Sequence, residues 1–315
     1  MHRMILWPVM VSSAVTSSSA ADEVLLPCVG DKWWQVAGDP DLGDYTSEKQ
    51  QPVDFGVWQA SDGTWQLWSC IRGTHCGGNT RLFYRWEGQH LTDPDWKPME
   101  IAMEAKPELG ETPGGLQAPH VIRHDGKYQM AYGDWVNICF AVSTDGKNFE
   151  RIIQPDGRTG VFSEGPDVNT RDPMLINIDG LWHCYYTAYV GGKGADWRRT
   201  SPDLVTWSNA VMVAYGGQSG TGGSSAECPF VVEPEPGHFY LFRTQRYGQD
   251  AQTSVYHSTN PLYFGIDDDR GLVCRLPVAA PEIIKHQGRY YIAYLNPGLD
   301  GIRIARLDWR RGEQT

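Results

Sequence analysis

A chain of 315 residues is long enough for one large β domain or two ordinary ones, and 41% hydrophobic with 21% charged residues is the balance of a globular protein. A net charge of −11 sets it against nucleic-acid phosphates and, more weakly, against densely sulfated polymers, although a local basic pocket can override the average. After the N-terminal segment no apolar run is long enough to span a membrane, and 35 Gly, 20 Pro, 13 Trp and 15 Tyr point to short strands joined by tight turns.

Residues 1–21 read as a signal peptide. His2 and Arg3 supply a short polar start, residues 4–15 are largely apolar, and Ser18-Ser19-Ala20 resembles a small-residue cleavage site. Pro8 and the short length argue against a buried helix. The expectation is a secreted or periplasmic protein whose residues 22–315 form one domain. That segment holds all seven cysteines, Cys28, Cys70, Cys76, Cys139, Cys184, Cys228 and Cys274. No Cys-x-x-Cys pair supports a zinc ribbon. Cys70 and Cys76 are close enough to bridge a hairpin in an oxidising compartment, and the odd count leaves at least one thiol free.

Residues 24–51, rich in Asp, Gly and Trp, are expected to pack outside the main fold or to help close it. Next comes Asp54-Phe55-Gly56-Val57-Trp58, running through an Asp62-Gly63 turn into Trp65-Gln66-Leu67-Trp68. Four further segments repeat this order of strand, Gly turn and aromatic strand, now opened by a proline. They begin at Ala118-Pro119-His120, Asp172-Pro173-Met174, Cys228-Pro229-Phe230 and Ala280-Pro281-Glu282. Proline to turn glycine is 7, 7, 8 and 7 residues, and successive prolines are 54, 56 and 52 residues apart. Each hairpin leads to a second turn-rich segment, clearest at Ser143-Thr144-Asp145-Gly146 and Ser201-Pro202-Asp203-Leu204, and again at Ser258-Thr259-Asn260-Pro261. Four strands in about 50 residues is one propeller blade, and five copies predict an all-β, five-bladed β-propeller. A β-sandwich needs no near-equal repeats, and a β-helix repeat is much shorter.

In a propeller the first strand of each blade lines the central channel. Carboxylates gathered there are expensive, because like charges meet in a partly dry space. Three blades nevertheless open with one, at Asp54, Asp172 and Glu227, and Glu282 follows the fifth-blade proline. Cleavage of a glycosidic bond calls for such a set: one carboxyl protonates the leaving oxygen, and another activates water or attacks the sugar.

With these residues in hand, the chain resembles the glycoside hydrolases of family 43 and the related family 32, both five-bladed propellers. Arg171-Asp172-Pro173 matches the group's RDP motif, Glu227-Cys228-Pro229 its EC motif, and Asp54-Phe55-Gly56-Val57-Trp58 resembles its blade-one segment. Ala118-Pro119-His120-Val121-Ile122 with Asp125-Gly126-Lys127-Tyr128 is similar to a blade-two sequence common in family 43. The likeness runs over residues 54–309. It implies Asp54 as general base, or as nucleophile in a retaining enzyme. Asp172 would hold the acid's pKa and orient the sugar, and Glu227 would be the general acid. Arg171 would contact substrate or pair with a catalytic carboxylate. The family-32 Asn-Asp-Pro-Asn-Gly motif and room for that family's C-terminal β-sandwich are both missing, which favours a family-43-like, inverting enzyme. Gln117 stands where the group usually has tryptophan before the blade-two Ala-Pro.

The resemblance also implies arabinosides, xylosides, galactosides or fructosides as substrates, with no metal or other cofactor in the chemistry. Further candidates for substrate contact are His120, Trp135, Arg243 and Glu282. His183 reads as packing, and Glu164-Gly165-Pro166 and Asp167 read as loop. Asp267-Asp268-Asp269 reads as a solvated turn in preference to a calcium site. Competing readings are a retaining β-fructosidase, a non-catalytic carbohydrate-binding propeller, and a phosphorylase, which needs clustered Arg, Lys or His for phosphate. Oligomeric state is left open.

Overall fold

A computed structural model describes residues 24–312 and shows the expected five-bladed β-propeller. The expected signal peptide, residues 1–21, lies outside the described residues. Blade I runs from strand Gln51–Gln59 at the axis through Trp65–Arg72 and Leu82–Gly88 to Lys97–Met103 at the rim. Blades II, III and IV begin on Gln117–His124, Thr170–Ile178 and Glu227–Glu235. Blade V begins on Glu282–His286.

The ring closes with a strand from the other end of the chain. Val24–Gly38 is the outermost strand of blade V, antiparallel to Gly301–Gly312, with Val24 opposite Gly312 and Gly38 opposite Gly301. Of the two expectations for residues 24–51, ring closure is therefore the one realised, by a strand whose hydrogen bonds join the first described residues to the last. Blade III carries an addition that the repeat did not announce. Gly265–Ile266, from blade IV's outer connection, pairs in parallel with its rim strand Val211–Tyr215.

The repeated turns share one chemistry. Asp145 Oδ1 accepts the N–H groups of Lys147 and Asn148, Asp203 Oδ1 those of Val205 and Thr206, and Asn260 Oδ1 that of Leu262. A short side-chain acceptor stands in for the backbone and holds each turn. Aromatic rings fill the wedges where blades diverge. Trp58 of blade I meets Phe149 of blade II edge-on at 5.8 Å, and its indole N–H donates to Gly146 O at 2.7 Å. Trp65 meets His286 of blade V at 5.0 Å.

All seven cysteines are free. The Cys70–Cys76 bridge considered above is not formed. Cys70 is buried in strand Trp65–Arg72 with its thiol directed at Leu116 O (3.3 Å), whereas Cys76 sits in the following loop and faces Arg81 O (3.6 Å).

Close to the axis the inner strands of blades I and II nearly touch. A Cβ on Gly56 would stand 2.4 Å from the Pro119 carbonyl oxygen, so the position admits no side chain without moving one strand. Gly56→Ala is expected to destabilise the fold by about 1–3 kcal/mol, the usual range for overpacking, read as a lower urea midpoint with an unchanged slope.

Candidate active site

The first strands share a local distortion that decides where their side chains point. Asp54 (φ 41°), Ala118 (φ 44°), Asp172 (φ 57°), Cys228 (φ 50°) and Ala280 (φ 49°) all adopt the left-handed conformation. In blades I to IV the ladder slips at that residue, between Val53 and Phe55, Gln117 and His120, Arg171 and Met174, and Glu227 and Phe230. These are β-bulges, which bend the strand and re-aim a side chain at a cost of order 1–3 kcal/mol each. In four blades the next residue is proline, which supplies no N–H to the interrupted ladder.

The result is a small axial pocket with room for about one water molecule, lined by Asp54, Asp172, Cys228, Glu282 and the bulge prolines Pro119, Pro173 and Pro229. An open cleft of about 570 Å³ adjoins it, lined by Arg81, Trp135, Arg171, Tyr189 and Glu227 among others. Two arginines join the chambers. Arg171 reaches Glu227 Oε1 (2.7 Å) and lies 3.6 Å from Asp172 Oδ2, while Arg81 lies 3.8 Å from Asp54 Oδ2. Asn169 Oδ1 (2.6 Å) and Gly223 O (3.0 Å) also accept from the Arg171 guanidinium and hold it in place. Among the three carboxylates Glu227 is the most exposed, with 20% of its side chain accessible against 3% for Asp172.

Charge and burial work against one another here. Burial pushes the Asp172 carboxyl up to about 7, the neighbouring Asp54 and Glu227 charges push the same way, and Arg171 opposes them. Asp54 is also raised, by burial first and by Glu227, with Arg81 pulling it down. Burial disfavours the Arg171 cation, but Asp172 and Glu227 outweigh it, so the guanidinium stays charged. Burial raises Glu282 as well, and His120 counters.

Of the remaining candidates, Trp135 lies in the cleft with the Arg81 guanidinium 5.1 Å above its ring. Glu282 lies in the axial cavity, and His120 Nδ1 faces it at 3.7 Å. The His120 Nε2 is 3.3 Å from Leu175 O, and the ring packs on Phe230. Arg243 requires a correction. It is 1% exposed, enclosed between blades III and IV, ion-paired with the buried Asp196 (3.3 Å) and directed at Gly216 O (3.5 Å) and Gly220 O (3.3 Å), so it does not line the channel. His183 packs against Tyr185. Glu164 is taken up by Tyr186 (2.7 Å) and Arg199 (2.8 Å), away from the cleft. Asp268 turns to Arg270 (2.6 Å), and Asp269 accepts the Gln218 N–H. Among the described residues no group of three or more potential metal ligands occurs.

The sequence reading missed Arg81 and Tyr189. Arg81 stands just before blade I's third strand and belongs to no repeated motif, so nothing in the spacing marks it. Tyr189 ends an aromatic strand whose other tyrosines, Tyr185 and Tyr186, are core, and its 42% exposure follows only from the fold.

Known proteins agree with the architecture. No protein-family model matches the chain. A thermostable family-43 glycoside hydrolase superposes with a TM-score of 0.61 at 17% identity, over 86% of this chain and 96% of that one. An endo-arabinase from Bacteroides thetaiotaomicron gives 0.60 at 13% identity, covering 88% and 99%. A family-32 β-fructofuranosidase from Bombyx mori gives 0.59 at 16% identity, covering 91% and 64%. In sequence, a 1,2-β-oligomannan phosphorylase from a Thermoanaerobacter species is 32% identical over 89 residues, which is 26% of this chain and only 28% of the phosphorylase. The chain thus has the fold of the family 43 and family 32 enzymes.

A stability prediction follows from Asp172. Its carboxyl titrates at 3.8 when unperturbed and at about 7 in the fold, so the native state binds the extra proton between those values. Stability therefore falls as pH rises through this window. Asp172→Asn removes the buried charge and is expected to be more stable than wild type at pH 8, by on the order of 2 kcal/mol. The gap should close towards pH 4, as read by urea denaturation at both pH values.

Proposed function

We propose that the protein is a glycoside hydrolase acting on a terminal sugar or a short oligosaccharide, with Asp54 as general base, Asp172 as the group that tunes the acid and orients the sugar, and Glu227 as general acid. The observation that carries this reading is the convergence of three carboxylates, from three separate blades, on two adjoining chambers. Bringing them there costs stability, so the arrangement calls for a use. Burial and neighbouring charge raise the Asp54 and Asp172 carboxyls, and Asp172, pushed up to about 7, holds a proton near neutrality. Glycosidic cleavage needs one carboxyl protonated and another ionised, which a set of carboxyls in unequal surroundings can provide.

Position supports the division of roles. Glu227 lies in the open cleft, where a leaving group can depart, and Asp54 lies in the enclosed cavity below. Tyr189 offers an exposed ring in the cleft on which a sugar can stack, beside the Trp135 ring that carries the Arg81 guanidinium. Arabinosides, xylosides, galactosides or fructosides are the proposed substrate class, and export to the periplasm or exterior would place the enzyme with them.

Phosphorolysis is a second reading with its own support: two guanidiniums, Arg81 and Arg171, face the cleft, and part of the chain is like an oligomannan phosphorylase. Incubation with oligosaccharides and inorganic phosphate distinguishes the two. A sugar phosphate seen by phosphorus NMR favours phosphorolysis, and free sugar formed regardless of phosphate favours hydrolysis.

Glu227→Gln is expected to lower kcat roughly 10³-fold on an unactivated substrate with little change in KM, and proton NMR of the first-formed anomer should show inversion. Full activity in this variant would remove the acid assignment. Arg81→Met removes the cation that holds the Asp54 carboxyl down. The acidic limb of its kcat/KM profile should therefore move to higher pH.

A further inference from the structure

Cys228 touches two of the three carboxylates. Its backbone N–H donates to Asp172 Oδ2 at 3.0 Å, and its thiol points at Asp54 Oδ1 at 3.4 Å. On the other side of the sulfur, 3.5 Å away, is the Tyr247 hydroxyl. A chain of contacts thus runs from Tyr247, just beyond strand His238–Arg246 of blade IV, through Cys228 to Asp54 of blade I. The left-handed bulge at Cys228 makes this possible, because it turns the side chain from the strand into the axial cavity.

A thiol is a weak donor, and it donates only while it keeps its proton. Burial pushes the Cys228 thiol well up, and the charges of Asp172, Asp54 and Glu227 push the same way. It therefore stays protonated, and the acceptor in line with it is Asp54 Oδ1. The other oxygen of that carboxyl, Oδ2, faces Arg81. Asp54 is thus held at both oxygens, by a neutral donor on one and a cation on the other. Burial also keeps the Tyr247 phenol neutral, with the carboxylate charges adding to the effect, so its hydroxyl can hold the sulfur in place.

We propose that Cys228, itself held by Tyr247, is a positioning residue that orients the Asp54 carboxyl toward the reacting centre. The inference rests on the reading of Asp54 as the base. A base displaced by about 1 Å can lose on the order of 10²-fold in rate, so a group that fixes the carboxyl's rotation acts on kcat and not on sugar binding.

The test compares Cys228→Ala, Cys228→Ser and Tyr247→Phe with wild type. Cys228→Ala is expected to lose roughly 10- to 100-fold in kcat with KM within about twofold. Its acidic limb should move to higher pH, since the thiol contact holds the Asp54 carboxyl down. Cys228→Ser, which keeps a donor in nearly the same place, should recover most of the loss, and Tyr247→Phe should fall between. Wild-type kcat and pH profile in Cys228→Ala, or equal loss in Ala and Ser, overturns the proposal. A second measurement needs no turnover. The infrared S–H stretch that disappears in Cys228→Ala should shift in Asp54→Ala; an unshifted band means that the thiol does not donate to Asp54. If the band shifts but the wild-type protein cleaves no glycoside, the contact stands and the hydrolase reading fails.

Discussion

Repulsion among carboxylates on one axis is the constraint around which the rest of this molecule is arranged. Asp54 and Asp172 are deeply buried, and burial together with neighbouring carboxylate charge raises both carboxyls. Such a group survives only if cations and donors are fixed close by. Arg81 answers Asp54, Arg171 answers Asp172 and Glu227, and the Cys228 residue supplies an N–H to one carboxylate and a thiol to another. Arg171 of blade III meets Glu227 of blade IV, and Cys228 of blade IV meets Asp54 of blade I, so the complete cluster needs these blades together.

Closure and rigidity therefore serve the site. Pairing of Val24–Gly38 with Gly301–Gly312 joins the first and last described strands in one sheet, and aromatic wedges such as Trp58 on Phe149 keep neighbouring blades in register. The five left-handed residues, four of them at β-bulges, store strain at the channel, which an over-determined ring can hold. Behind the carboxylate cluster, Arg243 and Asp196 form a second buried pair between blades III and IV. Burial outweighs Arg243 there and pushes the Asp196 carboxyl up to about 8, and the place of this pair is in the scaffold.

Much of the fold was legible in the amino-acid order because it is local and repeated. A hairpin is encoded by neighbouring residues, and Pro119 to Gly126, Pro173 to Gly180 and Pro281 to Gly288 mark three of them at one spacing. Asp54, Asp172 and Glu227 could be placed at the channel because each opens such a repeat. Arg243 also stands in an inner hairpin, but on the second strand, where one face meets the next blade and the sequence does not say which. Arg81 was missed for the complementary reason: it faces the cleft from outside any repeat.

By itself the sequence determined the number of blades, the strand that lines the axis in each, and the carboxylates at the blade starts, since all of these follow from spacing along the chain. Tertiary structure alone decided which cations meet those carboxylates, that Cys70 and Cys76 stay apart, that Arg243 is enclosed, and that the Cys228 thiol faces Asp54. Most of these depend on contacts between segments apart in the chain, such as Arg81 with Asp54, Arg171 with Glu227 and Cys228 with Asp54, and the bulges add a direction that periodicity does not carry.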